Sequence, residues 1–198
     1  MSTSTKRIIV LLIALALVVP FGLAGLSNLG GGSDPAGQQG ASAPQSPTAT
    51  TAPAPPAGMD QPTEAGAQAT VDYMFAAYPY MLASGDIEPW GSISAPECAE
   101  CVAFMESAAQ LKQQGGWVTG GEITLNNPSV TIEQAAKNPT ASHTATITSE
   151  FTEAPSQLVM GPQEEPVDNP GSTGTITLAL KFDTEQKRWL ITSITLDE

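Results

Sequence analysis

The chain has 198 residues and a strongly acidic balance, with 20 Asp and Glu against 7 Lys and Arg and a formal net charge of −13. Nucleic acid is bound by clustered cations that neutralise phosphates, so this balance excludes a nucleic-acid partner. Residues 62–198 form a folding unit long enough to bury a core without a metal or cofactor, and we expect neither.

The first 29 residues predict a membrane segment. Lys6 and Arg7 precede an unbroken apolar run over residues 8–19, and no charge follows until Asp34. Because about 20 uncharged residues can span a bilayer as a helix, we expect residues 1–29 to be an uncleaved signal anchor with a cytoplasmic N-terminus. The run also fits a signal peptide, whose cleavage would make the protein secreted. Either way, the rest of the chain is expected outside the cytoplasm.

Residues 30–61 predict a disordered tether. They are rich in Pro, Ala, Thr and Gly and lack the apolar periodicity needed to offset the entropy of ordering. The Pro-rich part favours extended conformations, so the tether is expected to hold the following domain away from the membrane.

The domain over residues 62–198 begins with a predicted helix. Thr63 is placed to cap it, and apolar residues then recur at helical spacing before Gly85-Asp86 ends the helix. Pro79 lies inside this pattern and predicts a kink or a short break. One more turn is predicted over 87–90, and residues 94–97 resemble the start of a second helix that ends at Gly115-Gly116.

Beyond residue 116 the apolar period changes from 3.6 to 2, which predicts strands. The predicted strands cover residues 117–125, 130–133, 143–151, 174–182 and 189–196. The last two are separated by a short turn and predict an antiparallel hairpin. Residues 153–172 are predicted to form a long loop, and a loop of this length in a compact domain is either mobile or functional. Helices followed by strands predict an α+β domain with helices packed on a curved antiparallel sheet.

This order of elements, ending in a Lys-Arg-Trp-Leu-Ile strand, resembles the cone-shaped fold of the nuclear transport factor 2 superfamily. Residues 63–67 leading to Tyr73, then residues 84–86, and then Cys98 and Cys101 are similar to a family of uncharacterised exported actinobacterial proteins. Members carry an export segment, a Pro/Thr-rich linker and one domain of unknown function. The resemblance covers residues 62–198 and implies fold and topology, but no activity.

The Cys98-x-x-Cys101 pair is the sharpest local motif. Outside the cytoplasm such a pair is expected to form a structural disulfide that fixes the start of the second helix. A helix N-terminus can also activate a thiol for exchange, although Glu97 and Glu100 would oppose a thiolate. A metal site is the third alternative, but it needs further ligands and His143 is the sole histidine.

Enzymes of the resembled fold place Asp, Tyr or His in a pocket between helix and sheet. The corresponding residues here are Asp72, Tyr73, Tyr78, Tyr80, Asp86 and His143. Aromatic residues at such positions are more often part of the core, so we assign none of them as catalytic.

Three functions are compatible with these observations. The first is a non-catalytic binding or scaffolding module at the cell envelope, which engages an envelope protein or a small ligand. The second is a pocket enzyme of the same fold, which would require His143 and a carboxylate to line one cavity. The third is a thiol-disulfide protein that uses Cys98 and Cys101.

Overall fold

The computed structural model describes residues 51–133 and 143–197, and the elements below are those of the described ranges. The predicted membrane segment, residues 1–29, and the tether up to residue 50 lie outside the described residues. Residues 51–56 contain no helix or strand, and residues 57–63 form turns and bends that lead into the first helix. The domain boundaries at residues 29 and 61 therefore stay predictions.

Helix α1, Glu64–Ser84, is the longest helix. As predicted, Thr63 caps it, with the Thr63 hydroxyl accepting a 3.1 Å hydrogen bond from the Gly66 amide. The helix continues through Pro79, so the predicted alternative of a short break is wrong, and a kink stays a prediction. A proline inside a helix costs about 3 kcal/mol, and burial of Ala77 before it and Met81 after it on the same side offsets this cost.

Gly85 ends α1 as predicted, with a left-handed backbone and its amide bonded to the Met81 carbonyl. The predicted turn follows as helix α2, Glu88–Gly91. Helix α3, Ala99–Gln113, begins later than the expected start at residues 94–97. The reason is tertiary: the Ala95 amide bonds instead to the carbonyl of Ile191 at 2.9 Å, in the last strand of the domain.

A four-stranded antiparallel sheet forms the centre of the domain. Its strands are β2 (Ile123–Glu133), β3 (Thr144–Glu153), β6 (Ser172–Asp183) and β7 (Arg188–Asp197), paired in that order. The predicted hairpin between the last two strands is confirmed. Apolar residues of β3 alternate with exposed polar ones, so one sheet face is buried and the other, rich in threonine, faces solvent.

The core lies between the buried face of this sheet and the helices. Large side chains from both layers fill it, and the following are almost fully buried: Met74, Met81, Ile93, Leu111, Ile147, Leu178, Leu180, Trp189 and Ile191. Burial of this apolar surface is the main term that stabilises the domain. The α+β class predicted from the sequence is therefore confirmed.

A second, three-stranded antiparallel sheet was not predicted. It consists of β1 (Trp117–Gly120), β4 (Ser156–Val159) and β5 (Val167–Asn169), paired in the order β1-β4-β5. The predicted single strand over 117–125 is split between the two sheets at Gly120 and Gly121, which both have positive φ. The segment 153–172, predicted to be a loop, supplies β4 and β5.

Strand β2 is also longer than expected, because it joins the two short runs predicted around residues 125 and 130. Its pairing with β3 shifts between Asn126 and Ser129, where Asn127 has a positive φ and Pro128 has no amide hydrogen. Among the helices of residues 51–133 and 143–197, none is both long and apolar enough to cross a membrane.

Candidate functional site

A shallow groove of about 500 Å³ lies on the three-stranded sheet. It is lined by Thr119, Gly120, Pro155, Ser156, Gln157, Asp168, Asn169 and Pro170. Six of these residues belong to two neighbouring rows across the sheet, Thr119–Gln157–Asp168 and Gly120–Ser156–Asn169. The two prolines directly precede β4 and directly follow β5. The groove is thus built by the segment that the sequence predicted to be a loop.

Hydrogen bonds between neighbouring strands hold the polar side chains of the groove in place. Gln157 Nε2 donates to Asp168 Oδ1 at 2.9 Å, and Asn169 Nδ2 donates to the Ser156 hydroxyl at 3.2 Å. These contacts fix where the remaining amide and hydroxyl groups point. Because successive residues of a strand point to opposite faces, the Gln157–Asp168 pair and the Ser156–Asn169 pair lie on opposite faces of the sheet, and each pair orders the side chains of its own face.

Gly120 allows β1 to approach β4 closely at the groove. It has φ +76°, and a Cβ atom at this position would overlap with the Pro155 carbonyl oxygen. The neighbouring Gly121 amide donates a 3.2 Å hydrogen bond to that same oxygen. The shape of the groove therefore depends on a glycine at position 120.

The chemistry of the lining is that of a binding surface. The eight residues supply two carboxamides, two hydroxyls and one carboxylate, and none of them is His, Cys, Lys or Arg. Nucleophilic catalysis needs a base within hydrogen-bonding distance of the nucleophile, and the side chain bonded to the Ser156 hydroxyl is the Asn169 amide, which is not a base. What the groove can do is donate and accept hydrogen bonds and place one negative charge beside a ligand.

The part of the domain around the groove is strongly negative. Glu122 and Glu153 flank β1 and β4 in the chain, and Glu164 and Glu165 lie in the turn between β4 and β5. Within described residues 113–133 and 143–180 there is no Lys or Arg. Lys137 falls between these ranges and lies outside the described residues. The local field around the groove therefore attracts cations.

The residues that precede α1 are held at the end of the four-stranded sheet opposite to the groove. The Trp189 indole Nε1 donates a 2.8 Å hydrogen bond to the Gln61 carbonyl. Trp189 pairs with Phe182 near the end of β6, whereas Ser172 at the start of β6 pairs with Glu153, close to the groove. At about 3.3 Å per residue, the two ends of β6 are roughly 30 Å apart.

Cys98 and Cys101 are joined by a disulfide with a Cα–Cα distance of 5.2 Å. Both side chains are fully buried, and the Trp90 indole covers them by donating a 3.2 Å hydrogen bond to the Cys101 carbonyl. The Cys98 sulfur also accepts a hydrogen bond from the Cys101 amide and so caps α3. A bond in this position fixes the start of the helix and lies away from the groove.

Two of the candidates in the helical region, Tyr80 and Asp86, belong to a capping network. The Tyr80 hydroxyl donates to Asp86 Oδ2 at 2.8 Å, which raises the pKa of Tyr80. Asp86 Oδ1 also accepts a hydrogen bond from the Glu88 amide, and the Ser84 hydroxyl accepts one from the Asp86 amide. The network joins the end of α1 to α2, which explains these residues structurally.

The remaining candidates of α1 are separate from one another. Tyr73 is buried in the core, and this burial raises its pKa, with a hydrogen bond from Ser92 opposing the change. The Tyr78 ring packs against Trp90 and Phe104 with centroid distances of 5.7 and 5.6 Å, and desolvation raises the pKa of Tyr78 well above its usual range. Asp72 is exposed on the helix surface.

His143 lies at the hairpin end of the sheet, where its ring packs edge-on to Phe182 at 6.5 Å. At this same end of the sheet, Trp189 contacts Gln61, which lies just before the start of α1. Tyr80 and Asp86 lie at the other end of this 21-residue helix, roughly 30 Å away. The structure therefore does not bring His143 together with Tyr80 or Asp86. In the described part of the chain, no three His, Cys, Asp or Glu side chains are placed to hold a metal ion.

The groove residues were missed because their segment shows no periodicity. Strands β4 and β5 have four and three residues, which is too short for an alternating pattern to be recognised. The available signal was the pair of prolines, Pro155 and Pro170, each next to a short run of polar residues. Proline at such positions is typical of the first residue or the edge of a sheet strand.

The chain was compared with known proteins. No curated protein matches it significantly. Among solved structures, it is similar to the intermembrane-space region of the chloroplast protein ARC6, with a TM-score of 0.47 and 16% identity over 68% of this chain and 95% of that one. A likeness of this degree carries no argument about function. The family of unknown function DUF6318 matches residues 37–195, and the chain belongs to this family.

Proposed function

We propose that this protein is a non-catalytic binding module at the outer face of a cell membrane, and that the groove on the three-stranded sheet is its ligand site. One observation carries the proposal: the carboxylate and the serine hydroxyl of the groove are each bonded to an amide side chain, and the hydrogen bonds of the described residues include no nucleophile–base pair of Ser156 with Asp168. Such a surface can recognise a ligand, but it has no groups arranged to transform one.

The filled interior supports surface binding. Large residues such as Met74, Leu178 and Trp189 occupy the space between helices and sheet, where an enzyme of the resembled fold would have its pocket. The order of helices followed by four antiparallel strands supports the expected likeness to the nuclear transport factor 2 fold. Actinobacterial origin belongs to the same proposal and rests on the sequence resemblance alone.

The second and third functions have less support. A pocket enzyme would need His143 beside a carboxylate in one cavity, and His143 instead packs on Phe182 away from the groove. A thiol-disulfide protein would need an accessible sulfur, and both Cys98 and Cys101 are fully buried.

The point of attachment leaves the groove free. Residue Gln61 is bonded to Trp189 at one end of the four-stranded sheet, and the groove lies near the other end. A membrane segment at residues 1–29 and a flexible tether would therefore join the domain at the end opposite to the groove and leave the groove accessible.

Site-specific crosslinking in the cells that make the protein tests this proposal. A photoreactive amino acid at Gln157, which is exposed in the groove, is compared with the same amino acid at Glu106, which is exposed on α3. We expect a discrete crosslinked product from position 157 and none from position 106. Added protease should also digest the domain in intact cells from which the wall has been removed.

Two results would contradict the proposal. Equal crosslinking from both positions, or from neither, would mean that the groove is not a preferred contact surface. Full protection of the domain from added protease, with digestion only after lysis, would place it in the cytoplasm.

A further inference from the structure

We propose that the groove binds lysine or arginine side chains of a partner polypeptide. This inference rests on the proposed function and specifies the chemistry of the ligand. It is drawn from the groove itself, in which apolar walls, oxygen acceptors and one carboxylate are combined.

The lining matches the two parts of such a side chain. Lysine and arginine carry an aliphatic stem and a cationic head, and they bury the stem along apolar surface while the head keeps polar contacts. Pro155 and Pro170 supply apolar surface at one end of the groove, where the β4–β5 register places them opposite each other. Asp168 lies within the groove and supplies a negative charge for the head, and the Thr119 hydroxyl lies in the same row across the sheet.

The charge around the groove favours a cationic ligand over a neutral or anionic one. Glu153 is close to the site. Its Oε1 lies 3.8 Å from the position that a Cβ atom on Gly121 would occupy, and the Ser156 side chain lies beside the same position. The described residues 113–133 and 143–180 contain no Lys or Arg to offset these carboxylates. Fields of one sign on this scale steer oppositely charged partners.

The tether and the β6–β7 hairpin of this chain are a poor match for the site. The tether, residues 30–61, contains no Lys or Arg, so it cannot supply the cation. On the β6–β7 hairpin, Lys187 and Arg188 lie next to Asp183 and Glu185, which reduce the net charge of that end. A separate polypeptide with unopposed lysines or arginines is therefore the better match in charge.

Peptide binding to the full-length chain in detergent micelles tests the inference. The probe is a fluorescein-labelled hexalysine peptide, measured by fluorescence anisotropy, with a serine peptide of equal length and a neutral oligosaccharide as comparison ligands. We compare wild type with Asp168→Asn, which keeps an oxygen acceptor for Gln157, and with Glu106→Gln, which removes an exposed charge elsewhere. A third variant, Gln157→Lys, places a cation inside the groove.

We expect hexalysine to bind and both comparison ligands to bind far more weakly. Asp168→Asn should weaken hexalysine binding by roughly ten-fold, because a charge-assisted contact is lost, and Gln157→Lys should weaken it further. Glu106→Gln should change it by less than about two-fold. Raising the salt concentration should weaken binding of the wild type more than that of Asp168→Asn.

Equal losses for the Asp168 and Glu106 variants would overturn the inference, because they would indicate attraction to net charge rather than binding in the groove. Preferred binding of the oligosaccharide would also overturn it and identify a glycan ligand. Crosslinking at position 157 in cells together with no hexalysine binding would reject the ligand chemistry while leaving the proposed function standing. Failure of both experiments would reject both.

Discussion

The indole nitrogen of Trp189 and the backbone carbonyl of Gln61 are joined by a 2.8 Å hydrogen bond across 128 positions of sequence. The ring of Trp189 is fully buried in the core and stacks edge-on with Phe182 at 5.4 Å. The bond thus fixes the last residues before α1 to the first residues of β7. It determines where the chain enters the folded domain.

Trp189→Phe should lower the free energy of unfolding by about 1–2 kcal/mol, since it removes this hydrogen bond and part of a buried ring. The matched control is Gln61→Ala, which changes an exposed side chain but keeps the accepting carbonyl. We expect the control to lie within about 0.5 kcal/mol of wild type. Urea unfolding followed by circular dichroism measures both, and similar values for the two variants would contradict a role for the bond.

Replacing both cysteines, Cys98→Ala with Cys101→Ala, should lower the free energy of unfolding by about 2–3 kcal/mol. Closing so short a loop contributes about 2 kcal/mol in the chain-entropy estimate, and the smaller side chains also leave space in the core. Since both sulfurs are buried, dithiothreitol should reduce the native protein only as fast as the domain unfolds. Rapid reduction of the native protein, at the rate of the urea-denatured protein, would instead support a thiol-exchange function.

Gly120→Ala should destabilise the domain and disturb the groove. The comparison is Gly58→Ala, because both glycines have positive φ but an added Cβ meets nothing within 4 Å at Gly58. Both variants place alanine at a positive φ, so this strain is common to them. The difference between their free energies of unfolding therefore measures the clash of the added Cβ with the Pro155 carbonyl. We expect Gly120→Ala to cost about 1–3 kcal/mol more than Gly58→Ala in urea unfolding. Equal costs would mean that the close approach of β1 and β4 is easily relaxed.

Asp183 should make stability depend on pH. Its Oδ1 accepts hydrogen bonds from the Gln186 and Glu185 amides, each 2.9 Å long, and the first of these is the main cause of its lowered pKa. A carboxyl whose pKa is lower in the folded state stabilises the fold above the unfolded-state pKa of about 3.9. This stabilisation is lost as the pH falls through the lower folded-state value.

The test is the free energy of unfolding of wild type and Asp183→Asn at a series of pH values. The wild type should be the more stable protein above about pH 5, and the difference should disappear as the pH falls below about 4. A difference that stays constant down to pH 2 would show that the charge of Asp183 is not responsible.

The helical half of the domain was well predicted from the sequence because its signals are local. Thr63 and Gly85 mark the ends of α1 by their own side-chain and backbone properties, independent of distant residues. The failure at Pro79 and the late start of α3 have tertiary causes. Residues on both sides of the proline are buried, and the Ala95 amide bonds to the Ile191 carbonyl. These tertiary contacts outweigh the local helix preferences of the sequence.

The groove could not be predicted, because its strands depend on each other. The four residues of β4 form a strand only between β1 and β5, which lie before and after it in the chain. Strand formation by such short polar runs depends on cross-strand contacts rather than on intrinsic preference. The expectation that residues 153–172 have no regular structure is wrong, and a functional role of this segment stays a prediction.

The residues before α1 and the groove lie at opposite ends of the four-stranded sheet. This placement affects how the protein should be attached when binding to the groove is measured. Strand β7 ends at Asp197, which pairs with Thr175 and therefore lies toward the groove end of the sheet. A reporter fused after this strand would crowd the groove, whereas attachment to a sensor surface through the residues before Gln61 would leave it open to solution. Binding measured in these two geometries would differ even though the sequence of the domain is unchanged.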